Sequence, residues 1–115
     1  MKSINRVRRI PIADKELLRQ LKEIVLGRVP DATLILYGSA ARGERAPDSD
    51  YDVLLLVDAP LSREEEEAID RAIYALELDR EVVLSVFIYT RDDWNRPLRA
   101  VTPFYQNVER EGVLL

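Results

Sequence analysis

The stretch LILYGSAARGERAPDSDYDVLLLV, residues 34–57, decides how this chain folds. An apolar run stops at Gly38-Ser39. After ten intervening residues, Asp50 and Asp52 stand at alternate positions and open a second apolar run. The order is strand, small-residue turn, acidic pair, strand. Residues 32–37 (ATLILY) and 53–57 (VLLLV) are too continuously apolar to be half exposed, so both read as buried strands. Only about eleven residues join them, fewer than the dozen or more a parallel crossover with a full helix requires. The two strands are therefore expected to run antiparallel.

Outward from this stretch the pattern alternates. Residues 14–26 place Leu17, Leu21, Ile24 and Val25 on one helical face, with Asp14 as the expected cap and Gly27 as the stop. Ser62 followed by Glu65 fits a capping box, and the acidic run Glu64 to Glu67 suits the positive end of a helix dipole. Ala68, Ile69, Ala72, Ile73 and Leu76 make that helix's apolar stripe. Residues 82–89 (VVLSVFIY) are β-branched and aromatic and read as a third strand. The crossover through the 62–78 helix is long enough to make it parallel to the second. Thr102-Pro103 starts a last helix that ends before Gly112, and residues 113–115 are expected to add an edge strand. The sum is an α/β (α+β) fold, a mixed central β-sheet flanked by α-helices, with 1–115 as a single domain.

Composition narrows the chemistry. The chain has 115 residues, 47% hydrophobic and 33% charged, which reads as soluble and globular. The net charge of −4 supplies no basic field for long nucleic acid. Cysteine and histidine are both absent, so a metal would be held by oxygen, which selects hard ions. No apolar run approaches the ~20 residues of a membrane span. A cytoplasmic location is expected, with no membrane contact.

The turn and the acidic pair carry the chemistry. Gly38 lets backbone amides approach a ligand closely, and Ser39 adds a hydroxyl and starts a short helix through Ala40 and Ala41. Such a start aims N–H groups at a phosphate, Arg42 offers a charge-assisted contact, and Gly43 turns the chain out again. On a strand, Asp50 and Asp52 project from one face, where a divalent metal relieves their repulsion and also binds phosphate oxygens. Ser49 is placed to orient Asp50. Tyr37, Trp94 and Pro103-Phe104-Tyr105 read first as packing at a core edge, with base stacking as the alternative for Trp94 and the 103–105 run. Arg6, Arg8 and Arg9 read as a solvated basic arm. Leu98, Val101 and Phe104, at helical spacing, read as core, or else as a partner-facing stripe.

The segment GSAARGERAPDSDYD resembles the signature of the DNA polymerase β-like nucleotidyltransferase superfamily: Gly-Ser, ten residues, Asp-x-Asp. The ARG after the serine and the SDxD ending resemble its minimal nucleotidyltransferase branch, small proteins often encoded beside a HEPN-domain partner. The resemblance implies a nucleotidyltransferase fold and transfer of a nucleoside monophosphate from a nucleoside triphosphate, ATP, with Mg2+ (Mn2+ as an alternative). It implies that Gly38 and Ser39 hold the triphosphate and that Asp50 and Asp52 hold the metal. It also implies an antitoxin paired with a HEPN-type toxin, acting by AMP transfer to a protein hydroxyl or by binding alone; a homo-oligomer is open. Transfer to a small acceptor, as in aminoglycoside-modifying relatives, would need acceptor-holding surface that 115 residues hardly provide. The superfamily's third carboxylate commonly comes from the third strand, where this chain has Ser85. Glu81, four residues earlier and on the same face if the strand is continuous, is one alternative source of that carboxylate, and a partner protein is the other.

Overall fold

The computed structural model describes all residues, 1–115. Its elements are β1 (Lys2–Ser3), α1 (Ile12–Leu26), β2 (Thr33–Tyr37), α2 (Gly38–Arg42), β3 (Tyr51–Val57), α3 (Arg63–Arg80), β4 (Leu84–Thr90), α4 (Arg91–Trp94), α5 (Pro103–Glu111) and β5 (Val113–Leu114), with single 3₁₀ turns at Ile4–Arg6 and Arg99–Val101. The five strands form one sheet in the order β1-β5-β2-β3-β4. As expected, β2 and β3 are antiparallel and β3 and β4 parallel.

Strand parity sorts the side chains into two cores. Leu34, Leu36, Val53, Leu55 and Val57 face α1 and α3, which contribute Leu17, Leu18, Leu21, Val25, Ile69, Ile73 and Leu76. On the other face Ile35, Leu54 and Leu56 meet Trp94 of α4 and Val108 of α5, with Tyr37, Tyr89, Phe104 and Tyr105 packed around them. Trp94 is buried, and its ring stands 5.5 Å from that of Phe104 and 5.0 Å from that of Tyr105. The aromatics seal the thinner core, as their sequence suggested. No helix is long and apolar enough to cross a membrane.

The capping box of Ser62 and Glu65 forms in both directions. Other expectations need correction. Helix α1 is preceded by Pro11, whose backbone already turns the chain into helix at Ile12, so Asp14 falls inside the first turn and caps nothing. Its carboxylate instead accepts a 2.6 Å hydrogen bond from the Tyr51 hydroxyl. The C-terminal strand is not at the edge: β5 lies between β1 and β2, because residues 2 and 3 pair alongside it. The N-terminal segment is accordingly no free basic arm, since Ile4, Val7 and Ile10 are buried and the Arg9 side chain donates to the carbonyl of Ala41. Strand β4 begins at Leu84, not at residue 82. Glu81 closes α3 in a left-handed conformation (φ 54°) and so belongs to a turn. Leu98 and Val101 are not core: they are 82% and 72% exposed, because a 3₁₀ turn replaces the helix their spacing suggested.

Candidate active site

The site is built where β2 ends and β3 begins. Gly38 adopts φ +75°, a left-handed conformation that side chains rarely tolerate, and this bend converts the strand into α2. Because β2 and β3 are antiparallel, Tyr37 pairs with Asp52, so the bend lies directly against that aspartate. A Cβ placed on Gly38 would stand 2.5 Å from Asp52 Oδ2. The glycine is needed both for its backbone angle and for this approach. Helix α2 buries Ala40 and Ala41 and ends at Gly43 (φ +74°), where a Cβ would come within 2.8 Å of the Arg9 carbonyl oxygen.

The parallel pairing of β3 and β4 sets Ser85 opposite Asp52. Ser85 Oγ donates a 2.9 Å hydrogen bond to Asp50 Oδ2. Thus the hydroxyl that orients Asp50 is that of Ser85, from the neighbouring strand, and not that of Ser49. Ser49 uses its carbonyl to accept from Arg45 at 2.9 Å. Glu81, in the turn before β4, does not share a strand face with Ser85. No group of three acidic side chains is placed to hold a metal.

The electrostatics follow from this crowding. The Asp52 carboxyl is raised above the ordinary aspartate range, first by burial, then by the charge of Asp50 and by that of Glu111; Arg42 opposes the shift. Tyr37 is pushed up to about 12, mainly by burial and next by Asp52. Asp50 and Asp52 are neighbouring oxygen donors whose repulsion Arg42 offsets only in part, which is the donor chemistry a hard divalent cation satisfies.

Two residues of the site carry no signal in the sequence. Glu111, the last residue of α5, accepts the Gly38 N–H at 3.0 Å and an Arg42 N–H at 2.9 Å. It is distant in sequence from both, and nothing local to it announces the contact. Arg45 lies between the halves of the motif. Its guanidinium donates to the carbonyls of Ala46, Pro47 and Ser49 and lies 4.3 Å from the centre of the Tyr51 ring, so it holds the loop that leads into Asp50. Of the residues expected to act together, Gly38, Ser39, Arg42, Asp50 and Asp52 converge on this end of the sheet. Gly43 and Ser49 shape its flanks.

Comparison with known proteins supplies the family. The model of the nucleotidyltransferase domain matches residues 18–114. The chain belongs to the nucleotidyltransferase domain family. It is a nucleotidyltransferase of the minimal type that its signature suggested. Two relatives from Methanocaldococcus jannaschii bear the names "Putative protein adenylyltransferase MJ0141" and "Putative protein adenylyltransferase MJ0604". The first is 29% identical over 100 residues, 85% of this chain and 94% of the relative. The second is 31% identical over 103 residues, 90% and 94%. Among solved structures, a toxin–antitoxin with AMP-PNP superposes with a TM-score of 0.57 at 16% identity, over 84% of this chain and 69% of that one. A mutant of the toxin–antitoxin MntA-HpeT gives 0.52 at 17% identity, over 89% and 70%. These likenesses establish a shared nucleotidyltransferase fold.

Proposed function

We propose that this nucleotidyltransferase moves AMP from ATP to a hydroxyl of a partner protein, and that the partner is a HEPN-type toxin which it restrains. The observation that carries the site is the contact of the Gly38 bend with Asp52, which joins the expected phosphate cradle to the expected metal ligands. The relatives named as protein adenylyltransferases, matched over 94% of their length, support a protein acceptor. The toxin–antitoxin neighbours, one holding AMP-PNP, support the nucleotide and the kind of partner.

In this reading the Gly38-Ser39 turn and Arg42 bind the triphosphate, the amides by hydrogen bonds and the guanidinium by charge. Gly43 and Ser49 bound the nucleotide site. Asp50, just before β3, and Asp52, within it, fit Mg2+, or Mn2+ in its place, because both are hard-oxygen donors beside Ser85. An ion held by Asp50 and Asp52 would neutralise phosphate charge. Arg45 and Ser85 keep Asp50 in place through the loop carbonyls and through its carboxylate. The acceptor hydroxyl releases its proton to solvent water as its oxygen bonds to the α-phosphorus, while the bond from that phosphorus to the α,β-bridging oxygen breaks and pyrophosphate leaves with that oxygen. Ser85, a weak base, stands where the superfamily's third carboxylate commonly lies, so the isolated chain is expected to turn over slowly unless the partner completes the site.

Incubation with ATP labelled at the α-phosphate, Mg2+ and the protein encoded by the adjacent gene tests this. The partner gains one AMP in mass and label, and Asp50→Asn with Asp52→Asn abolishes the transfer. Failure of every nucleoside triphosphate to label the partner would reject it. Ser85 also favours a second reading, an antitoxin that neutralises its partner by binding alone. Under that reading the double variant still protects cells from the partner, whereas under the first it does not.

A further inference from the structure

The groups assigned to the triphosphate are not idle. One carboxylate holds both: Glu111 Oε1 accepts the Gly38 N–H at 3.0 Å and Glu111 Oε2 accepts an Arg42 N–H at 2.9 Å. The Glu111 side chain is only 13% exposed, against 44% for Arg42. The contact is anchored from behind. Val108, one turn earlier in α5, is buried, and Gly112, one residue later, is packed so closely against the Val108 carbonyl, Met1 and Ile35 that it has no room for a Cβ. Glu111 therefore reaches the cradle from a fixed helix end, not from a loop. Its charge also falls on Asp52, whose carboxyl it helps to raise. A backbone N–H and a guanidinium that share one pair of carboxylate oxygens present the donor arrangement that would take two oxygens of a phosphate.

We propose that Glu111 is an internal substitute for a nucleotide phosphate, and that a triphosphate binds only by displacing the Glu111 side chain from Gly38 and Arg42. The inference rests on the nucleotide site proposed above. In the free protein the substitute keeps the Gly38 amide paired and Arg42 aimed at the cradle. It also lowers apparent nucleotide affinity, since only the fraction of molecules with the side chain displaced can bind.

The test is a binding titration of wild type, Glu111→Gln and Glu111→Ala with three probes: magnesium AMP-PNP, magnesium tripolyphosphate and adenosine. Glutamine keeps the shape but removes the charge, and its amide cannot satisfy Arg42 as a carboxylate does. Both variants are expected to bind the two phosphate probes roughly ten-fold more tightly than wild type, the scale of one lost charge-assisted competitor. Adenosine binding is expected to stay the same. If Glu111→Ala does not fold, as a thermal melt will show, Glu111→Gln decides. Unchanged or weaker phosphate binding in a folded variant, with wild type binding normally, overturns the role of Glu111 alone. Failure of wild type and variants alike to bind either phosphate probe overturns the nucleotide site and this inference with it.

Discussion

Gly38 concentrates two constraints on a single position, a left-handed φ of +75° and a 2.5 Å approach that a Cβ would make to Asp52 Oδ2. Alanine there must accept a strained backbone and push the aspartate aside. Gly38→Ala is expected to cost about 1–3 kcal/mol of stability and to weaken nucleotide binding. Denaturant melts check the first part and a titration the second; wild-type values in both would show that the bend tolerates a side chain. Asp52 makes the opposite kind of prediction. Its raised pKa means that the ionised form is held at a cost in the folded chain, so Asp52→Asn is expected to stabilise the metal-free protein. The gain is expected to be small, because the carboxyl keeps much of its solvent screening. A lower melting temperature for Asp52→Asn in EDTA would contradict it. Both aspartates and the glycine were legible from their spacing alone. Glu111 was not, because its contact spans from α5 to the Gly38 bend and no local pattern encodes it.

Register between elements decides what stands beside the acidic pair. Parallel pairing of β3 with β4 sets Ser85 opposite Asp52, and the hydroxyl bonds to Asp50. Substituting Ser85→Asp adds a third carboxylate to the same face. It is expected to raise the rate of the proposed AMP transfer by about ten-fold, less than the roughly 10²–10⁴-fold of a fully positioned base, and to lower stability without metal by adding a like charge. The labelling assay reads the rate; a slower or equal rate with intact folding would mean that the strand position is not the place for a base. The run at 82–89 predicts a strand from residue 82, but Glu81 takes a left-handed turn that the apolar pattern does not encode, and β4 starts at Leu84. The helical spacing of Leu98, Val101 and Phe104 does not show that the chain makes only a 3₁₀ turn at Arg99–Val101 before Pro103 restarts it.

For the whole molecule, burial of two tyrosines on opposite faces of the sheet ties stability to alkaline pH. Tyr37 and Tyr51 are both pushed up to about 12, in each case chiefly by burial. The unfolded chain ionises its tyrosines near pH ~10, so between pH ~10 and about 12 it binds fewer protons than the folded chain. The stabilisation is complete below pH ~10 and is lost as pH rises toward about 12. Melts at pH 9 and pH 11 check this, and Tyr51→Phe is expected to flatten part of the slope; all five tyrosines ionising near pH ~10 in the folded protein would refute it. By itself the sequence determined the alternation of helices and strands, the antiparallel and parallel pairings and the residues of the turn and the acidic pair. It did so because apolar periodicity, caps and connection lengths act over a few residues. Only the tertiary structure decided that β5 lies inside the sheet, that Arg45 secures the loop before Asp50, that Ser85 rather than Ser49 bonds to Asp50, and that Glu111 bonds to the Gly38 N–H and to Arg42. Those are contacts between segments distant along the chain, and they exist only once the sheet has brought their backbones together.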